Sequence, residues 1–184
     1  MKIILASQSP RRKEILSKAG YDFEIVVSKY EENICGLKYE DGLLLNCAYQ
    51  KALEVQKRLS SLDLIISADT VVVNNGIILG KPKDLNEAYK MLESLSNKTH
   101  FVATSVCLIY GDKIKNDIEK TYVTFRKLSE DDILKYIKDE KPLDKAGSYG
   151  IQDEDFDFAI KLDGELDNVI GFPLKLFKEL LELI

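Results

Sequence analysis

Residues 1–16, MKIILASQSPRRKEIL, read as a strand, a tight loop and the start of a helix. KIILA (2–6) has the composition of a short buried strand, Ser9 suits the helix cap, and Pro10 suits the first helical position. Ile15, Leu16 and Ala19 then supply an inward stripe before Gly20 stops the helix. Arg11 and Arg12 stand in the first turn, where the macrodipole already makes the helix end electropositive. An anion resolves that conflict. Ser7, Gln8 and Ser9 add short hydrogen-bond donors beside exposed backbone N–H groups, and the arginines add forked charged ones, a set that suits a triphosphate. The segment has neither the GxxxxGK[ST] pattern of a P-loop nor a dinucleotide GxGxxG, so a phosphate pocket here has to be assembled differently.

Working outward, YDFEIVV (21–27) reads as a second strand, residues 28–42 as a polar connection, and the chain from about residue 42 as a long helix. Leu44, Ala48, Ala52, Val55 and Leu59 form the inward face of that helix. LDLIISADTVVV (62–73) reads as a buried strand whose carboxyl end delivers Asp69, and Asn74, Asn75 and Gly76 turn the chain into IILG. Asp84 and Glu87 suit a capping box for a helix with Leu85, Ala88, Leu92 and Leu95 inward. FVATSVCLIY (101–110) and IEKTYVTFRKL (118–128) form an antiparallel pair around GDK, and Ser129 and Asp132 cap a helix to about residue 139. FAIKLDG (158–164) is a late strand, and GFPLKLFKELLELI (171–184) an amphipathic helix with Leu174, Phe177, Leu181 and Ile184 on related faces. Strands and helices therefore alternate in an α/β domain spanning 1–184, whose hairpin-rich middle can form a second lobe.

The 184 residues are 45% hydrophobic and 31% charged, enough for one substantial core. With 31 acidic against 26 basic residues the balance argues against nucleic-acid or anionic-membrane partners, while leaving room for a local basic pocket. Cys35, Cys47 and Cys107 make neither a zinc pattern nor a disulfide framework and read as reduced thiols. PRRKE is no signal-peptide cleavage region and no apolar stretch approaches the ~20 residues that cross a bilayer, so the expected location is cytoplasmic.

Four further places can carry chemistry. Asp69 can coordinate magnesium or manganese, orient or deprotonate water, or simply accept turn hydrogen bonds. Lys81, stiffened by Pro82, can aim its amine into a cleft, whereas Lys83 reads as solvent-exposed. Lys51 lies near the buried edge of its helix, where it can snorkel or reach phosphate. DKAGSYGIQ (144–152) can approach a base or sugar through Ser148, Tyr149 and Gln152, or can be a structural turn around a core tyrosine. The lone His100 reads as structural or surface.

Taken together, ILASQSPRRKEIL, ISADTVVV, ILGKPKD, the YVTF segment, KPLDKAGSYGIQ and DNVIGFP resemble the Maf family of nucleoside-triphosphate pyrophosphatases, in order along nearly the whole chain. The resemblance implies a mixed twisted sheet flanked by helices, two lobes with an intervening cleft, an architecture related to inosine-triphosphate pyrophosphatases, and a homodimer. It implies hydrolysis between the α and β phosphates of a nucleoside triphosphate, giving monophosphate and pyrophosphate with Mg2+ or Mn2+. On it, Ser7, Arg11 and Arg12 hold the phosphate chain, Lys51 and Lys81 neutralise shifting charge, and Asp69 binds the ion or prepares water. Glu31 or Glu32 matches the family's acidic residue after the second strand. Gln152 matches the branch associated with dTTP and UTP; a nucleotide-binding regulator of septum formation and a noncanonical purine triphosphate pyrophosphatase are the alternatives. The run DEDFDF (153–158) departs from the family and brings Asp153, Glu154, Asp155 and Asp157 near a polyanion site, where they repel substrate if they face inward, and otherwise face water or a cation.

Overall fold

The structure, a computed structural model, describes residues 2–59, 62–154 and 156–184. Its strands are β1 (Ile3–Leu5), β2 (Glu24–Ile25), β3 (Leu64–Asn74), β4 (Ile77–Leu79), β5 (Thr99–Tyr110), β6 (Lys113–Phe125) and β7 (Ala159–Asp163). Among the described residues they make one mixed sheet in the order β2-β1-β3-β5-β6-β7, with β4 also on β3. β1 runs parallel to β2 and β3, and β3, β5, β6 and β7 follow one another antiparallel. The helices are α1 (Pro10–Lys18), α2 (Asp41–Gln56), α3 (Leu85–Leu95), α4 (Glu130–Asp139), α5 (Leu166–Ile170) and α6 (Leu174–Glu182). This is the mixed, helix-flanked sheet that the family resemblance implies, and it agrees with the α/β alternation of patterns.

Strand alternation sends neighbouring side chains to opposite faces. Ile4 and Ile65 pack on Ala48, Ala52 and Val55 of α2, while Leu5, Leu64, Ile66 and Ala68 meet Leu16 of α1 and Leu176, Phe177 and Leu180 of α6. β3 is covered on both faces, in keeping with the consecutive apolar residues Leu64–Ile66 and Val71–Val73 on either side of Ser67, Asp69 and Thr70. Farther along the sheet, α3 and α4 close over Val72, Val102, Val123 and Phe125.

The element that makes a site is a fork beside β3. β1 pairs with Leu64–Ile66, and Ala6 N–H donates to the Ile66 carbonyl at 2.7 Å before the chain turns away. β4 joins the same edge only at Val72–Asn74. Asp69 and Thr70 lie in the interval that neither strand covers. Asp69 is thus mid-strand, not at a strand end, because Ile65 through Val73 pair without interruption with β5.

Other expectations need correction. The second strand shrinks to Glu24–Ile25, since Tyr21 and Phe23 turn into the core beside α6, with Tyr21 edge-on to Phe177. Ser9 occupies the cap position of α1 without a side-chain cap bond; its own N–H donates to Ser7 Oγ at 3.2 Å. Asp84 caps α3 by accepting from Glu87 N–H, but the Glu87 carboxylate takes the Lys83 N–H, so the box is half formed. The reciprocal box of Ser129 and Asp132 is complete. A short helix that the sequence reading did not expect, α5, ends at Gly171 with φ +120°, and the carboxyl-terminal helix expected over 171–184 begins only at Leu174, after Pro173. Its fully buried face is Leu176, Phe177 and Leu180, with Leu174, Leu181 and Ile184 at the margins. No helix among the described residues is long and apolar enough to cross a membrane, and all three cysteines are free.

Candidate active site

The fork opens into a cleft of about 1160 Å³, lined from one side by the β1–α1 loop and from the other by the segment after α4. Arg12 ties three chain segments together. Its Nε donates to the Gly171 carbonyl at 2.9 Å, Nη1 to Ser7 Oγ at 3.1 Å and Nη2 to Thr70 Oγ1 at 3.0 Å. A guanidinium held at three points is pre-aimed, so little rotamer entropy remains to be lost when an anion arrives. Arg11 and Lys81 also line the cleft, Lys81 being exposed just after the buried Gly80.

Opposite these cations sits an ionic triad. Lys51 projects from α2, where one-turn spacing from Cys47 and Val55 points it inward, and its Nζ lies 2.9 Å from Asp69 Oδ1. The same ammonium bonds Glu32 Oε1. Glu32, though itself on the exposed side of the cleft, therefore reaches Lys51, and Glu31 lines the same cleft. Asp69 is 3% exposed, and its Oδ2 is buried without a hydrogen bond. Burial pushes the Asp69 carboxyl up to about 6, against the opposing pull of Lys51.

The orphan Oδ2 and the converging Glu32 are hard oxygen donors suited to Mg2+ or Mn2+. Among the described residues no group of three or more His, Cys, Asp or Glu side chains gathers as a cation cage. Two carboxylates fit an ion that completes its shell with water and substrate phosphate oxygens, as magnesium commonly does.

A model of the Maf-like protein family matches residues 2–184. The chain belongs to the Maf family. Two curated relatives of this Maf chain are both called dTTP/UTP pyrophosphatase. One, from Clostridium perfringens, is 45% identical over 184 residues, covering 98% of this chain and 96% of the relative. The other, from Bacillus cereus, is 46% identical over 180 residues, covering 97% and 88%. Among solved structures, a Ham1 protein from Staphylococcus aureus aligns over 68% of this chain and 72% of its own at 13% identity, with a TM-score of 0.47.

The far wall of the Maf cleft differs from the sequence expectation. Gln152 is exposed and lines the cleft. Tyr149 also borders it, but its ring is mostly core, stacked on Phe156 and edge-on to Phe125, with its hydroxyl 2.7 Å from His100 Nε2. Ser148 does not line the cleft. Successive left-handed residues, Gly147 at φ +66° and Ser148 at φ +69°, roll its side chain inward, where Oγ meets Met91 Sδ at 3.2 Å. Two residues of the wall escaped sequence reading. Thr70, which anchors Arg12, is merely the residue after Asp69, and only the fork gives it access. Lys145 was hidden in a segment read for its glycines.

The acidic departure resolves residue by residue. Asp153 faces inward but is paired with Lys145, and Asp157 is exposed and paired with Arg126. Glu154 is exposed, and Asp155 lies outside the described residues.

Proposed function

We propose that this Maf protein hydrolyses the α–β phosphoanhydride of nucleoside triphosphates, dTTP and UTP above all, giving the nucleoside monophosphate and pyrophosphate. The observation that carries the reading is the single cleft in which pre-aimed Arg12 faces the Asp69–Lys51–Glu32 triad. Names of relatives at 45–46% identity support the same reaction and the same bases.

On this reading Ser7, Arg11, Arg12 and Lys81 grip the phosphate chain, and electrostatic preorganisation supplies much of the rate advantage. Asp69 and Glu32 would hold Mg2+ or Mn2+, which when bound would neutralise phosphate charge. Lys51, with its ammonium held beside the same carboxylates, would neutralise charge that shifts during transfer. In its alternative role, without the ion on its own carboxylate, Asp69 prepares the attacking water, and a pKa raised by burial suits the acceptance of a proton. Gln152 reads the polar edge of a pyrimidine. The assembly is a homodimer, checked by concentration-dependent sedimentation; a persistent monomer rejects it.

The deciding experiment resolves products from dTTP and UTP with Mg2+ or Mn2+. Equal monophosphate and pyrophosphate are expected. Orthophosphate with nucleoside diphosphate rejects the bond assignment, and tight nucleotide binding without turnover rejects the enzyme.

A further inference from the structure

Asp153 forms a dense polar node in the cleft wall away from the phosphate end. Its side chain is 8% exposed, and a single oxygen, Oδ2, receives the Tyr136 hydroxyl, the Lys145 ammonium and the Gly150 N–H at 3.1 Å. The Gly150 N–H is shared with the Tyr136 oxygen at 2.8 Å. The backbone closes the same loop, with Asp153 N–H donating to the Gly150 carbonyl and Phe156 N–H to the Asp153 carbonyl, each at 3.1 Å. A four-residue turn is thus cinched from both main chain and side chain, and Gln152 is its exposed third residue.

Gly150 explains why the turn is so tight. A Cβ there would lie 2.8 Å from both Asp153 carboxylate oxygens and 2.8 Å from Gln152 Nε2. The carboxylate and the amide therefore close over the same bare backbone, and the position of one limits the position of the other. Lys145, with 9% side-chain exposure, has Asp153 as its near partner and Glu140 at 3.7 Å. Burying a carboxylate in a polyanion cleft without such a counter-ion is costly.

We propose that Asp153 is a positioning residue for base selection: it clamps the turn that presents Gln152, and Lys145 serves as its counter-ion instead of as a phosphate ligand. This rests on the proposed pyrimidine-reading role of Gln152. It also accounts for an inward acidic residue that leaves the phosphate grip intact.

The test compares kcat and KM for dTTP, UTP, CTP and GTP in wild type, Asp153→Ala, Asp153→Asn, Gln152→Ala and the Gln152→Ala/Asp153→Ala double variant, with thermal melting as a folding control. Asp153→Ala is expected to lower the dTTP-over-GTP ratio of kcat/KM by about tenfold or more through KM for dTTP, with kcat within about threefold of wild type. Asp153→Asn keeps an acceptor oxygen for Gly150 and Tyr136 and retains most of the ratio. In the Gln152→Ala background, loss of Asp153 changes the ratio by less than about twofold, because two residues acting as one unit are not additive. A folded Asp153→Ala with wild-type selectivity overturns the proposal, and so do independent, multiplying effects of the two substitutions. A wild-type enzyme that turns over every base equally rejects this proposal together with base reading by Gln152. Absence of triphosphate hydrolysis is a different result, which rejects the proposed function and this inference with it.

Discussion

Lowering the pH from 7 to 5 should destabilise the fold through His100. The imidazole is 3% exposed and lies edge-on to Phe125 and Tyr149. Its Nε2 pairs with the Tyr149 hydroxyl, and Nδ1 is buried without a partner. Among the described residues no carboxylate stands against a cation there, and burial accordingly lowers its pKa from 6.5 to about 4. The unfolded chain takes up this proton near pH 6.5 while the folded chain resists until about pH 4. Between those values the unfolded state binds more protons, so stability falls as pH falls. From pH 7 to 5 the loss from this group is about 2 kcal/mol. The assay is urea unfolding at pH 7, 6 and 5 for wild type and His100→Gln, whose amide can still meet the Tyr149 hydroxyl but does not titrate. His100→Gln should start less stable at pH 7 and show the shallower pH dependence by about that 2 kcal/mol. Parallel curves for the two proteins would refute the argument that His100 is held neutral.

Asp69→Asn should fold normally and lose about a hundredfold or more in kcat, since the carboxylate charge disappears with little change in volume; near-normal rates at saturating metal remove Asp69 from the chemistry. Arg12→Ala removes the three-point anchor and should lower kcat/KM by about a hundredfold. Unchanged efficiency would mean that Arg12 braces α1 without touching substrate. Gly147→Ala should cost about 1–3 kcal/mol in chemical denaturation, because φ is +66° and the new methyl would lie 2.8 Å from Val72 Cγ2. Wild-type stability would show that the 145–153 segment shifts freely.

Local chemistry was legible wherever the partners are close in sequence. Ser129 and Asp132 announce their box, GDK announces the hairpin, and the apolar run 64–66 announces a strand covered on both faces. Boundaries failed where tertiary packing claims the side chains, as Tyr21 and Phe23 leave β2 for the core, and where the backbone intervenes, as the last helix begins after Pro173 and not at Gly171. Asp69, Lys51, Lys81 and Arg12 stood out as cleft candidates by residue type and setting, but Thr70 and Lys145 did not, since nothing in their neighbours marks them.

By itself, then, the amino-acid order determined the succession of strands and helices, the crowding of arginines at the first helix and the family to which the whole pattern belongs. Tertiary structure alone decided that β1 and β4 leave a gap opposite Asp69, that Glu32 rather than Glu31 meets Lys51, that Ser148 turns inward, and that Asp153 spends its charge on Lys145. The physical reason is range: periodicity and capping act over a few residues along the chain. Which side chains share a cleft is set by strand pairings and packing between segments up to 159 residues apart, as Arg12 and Gly171 are.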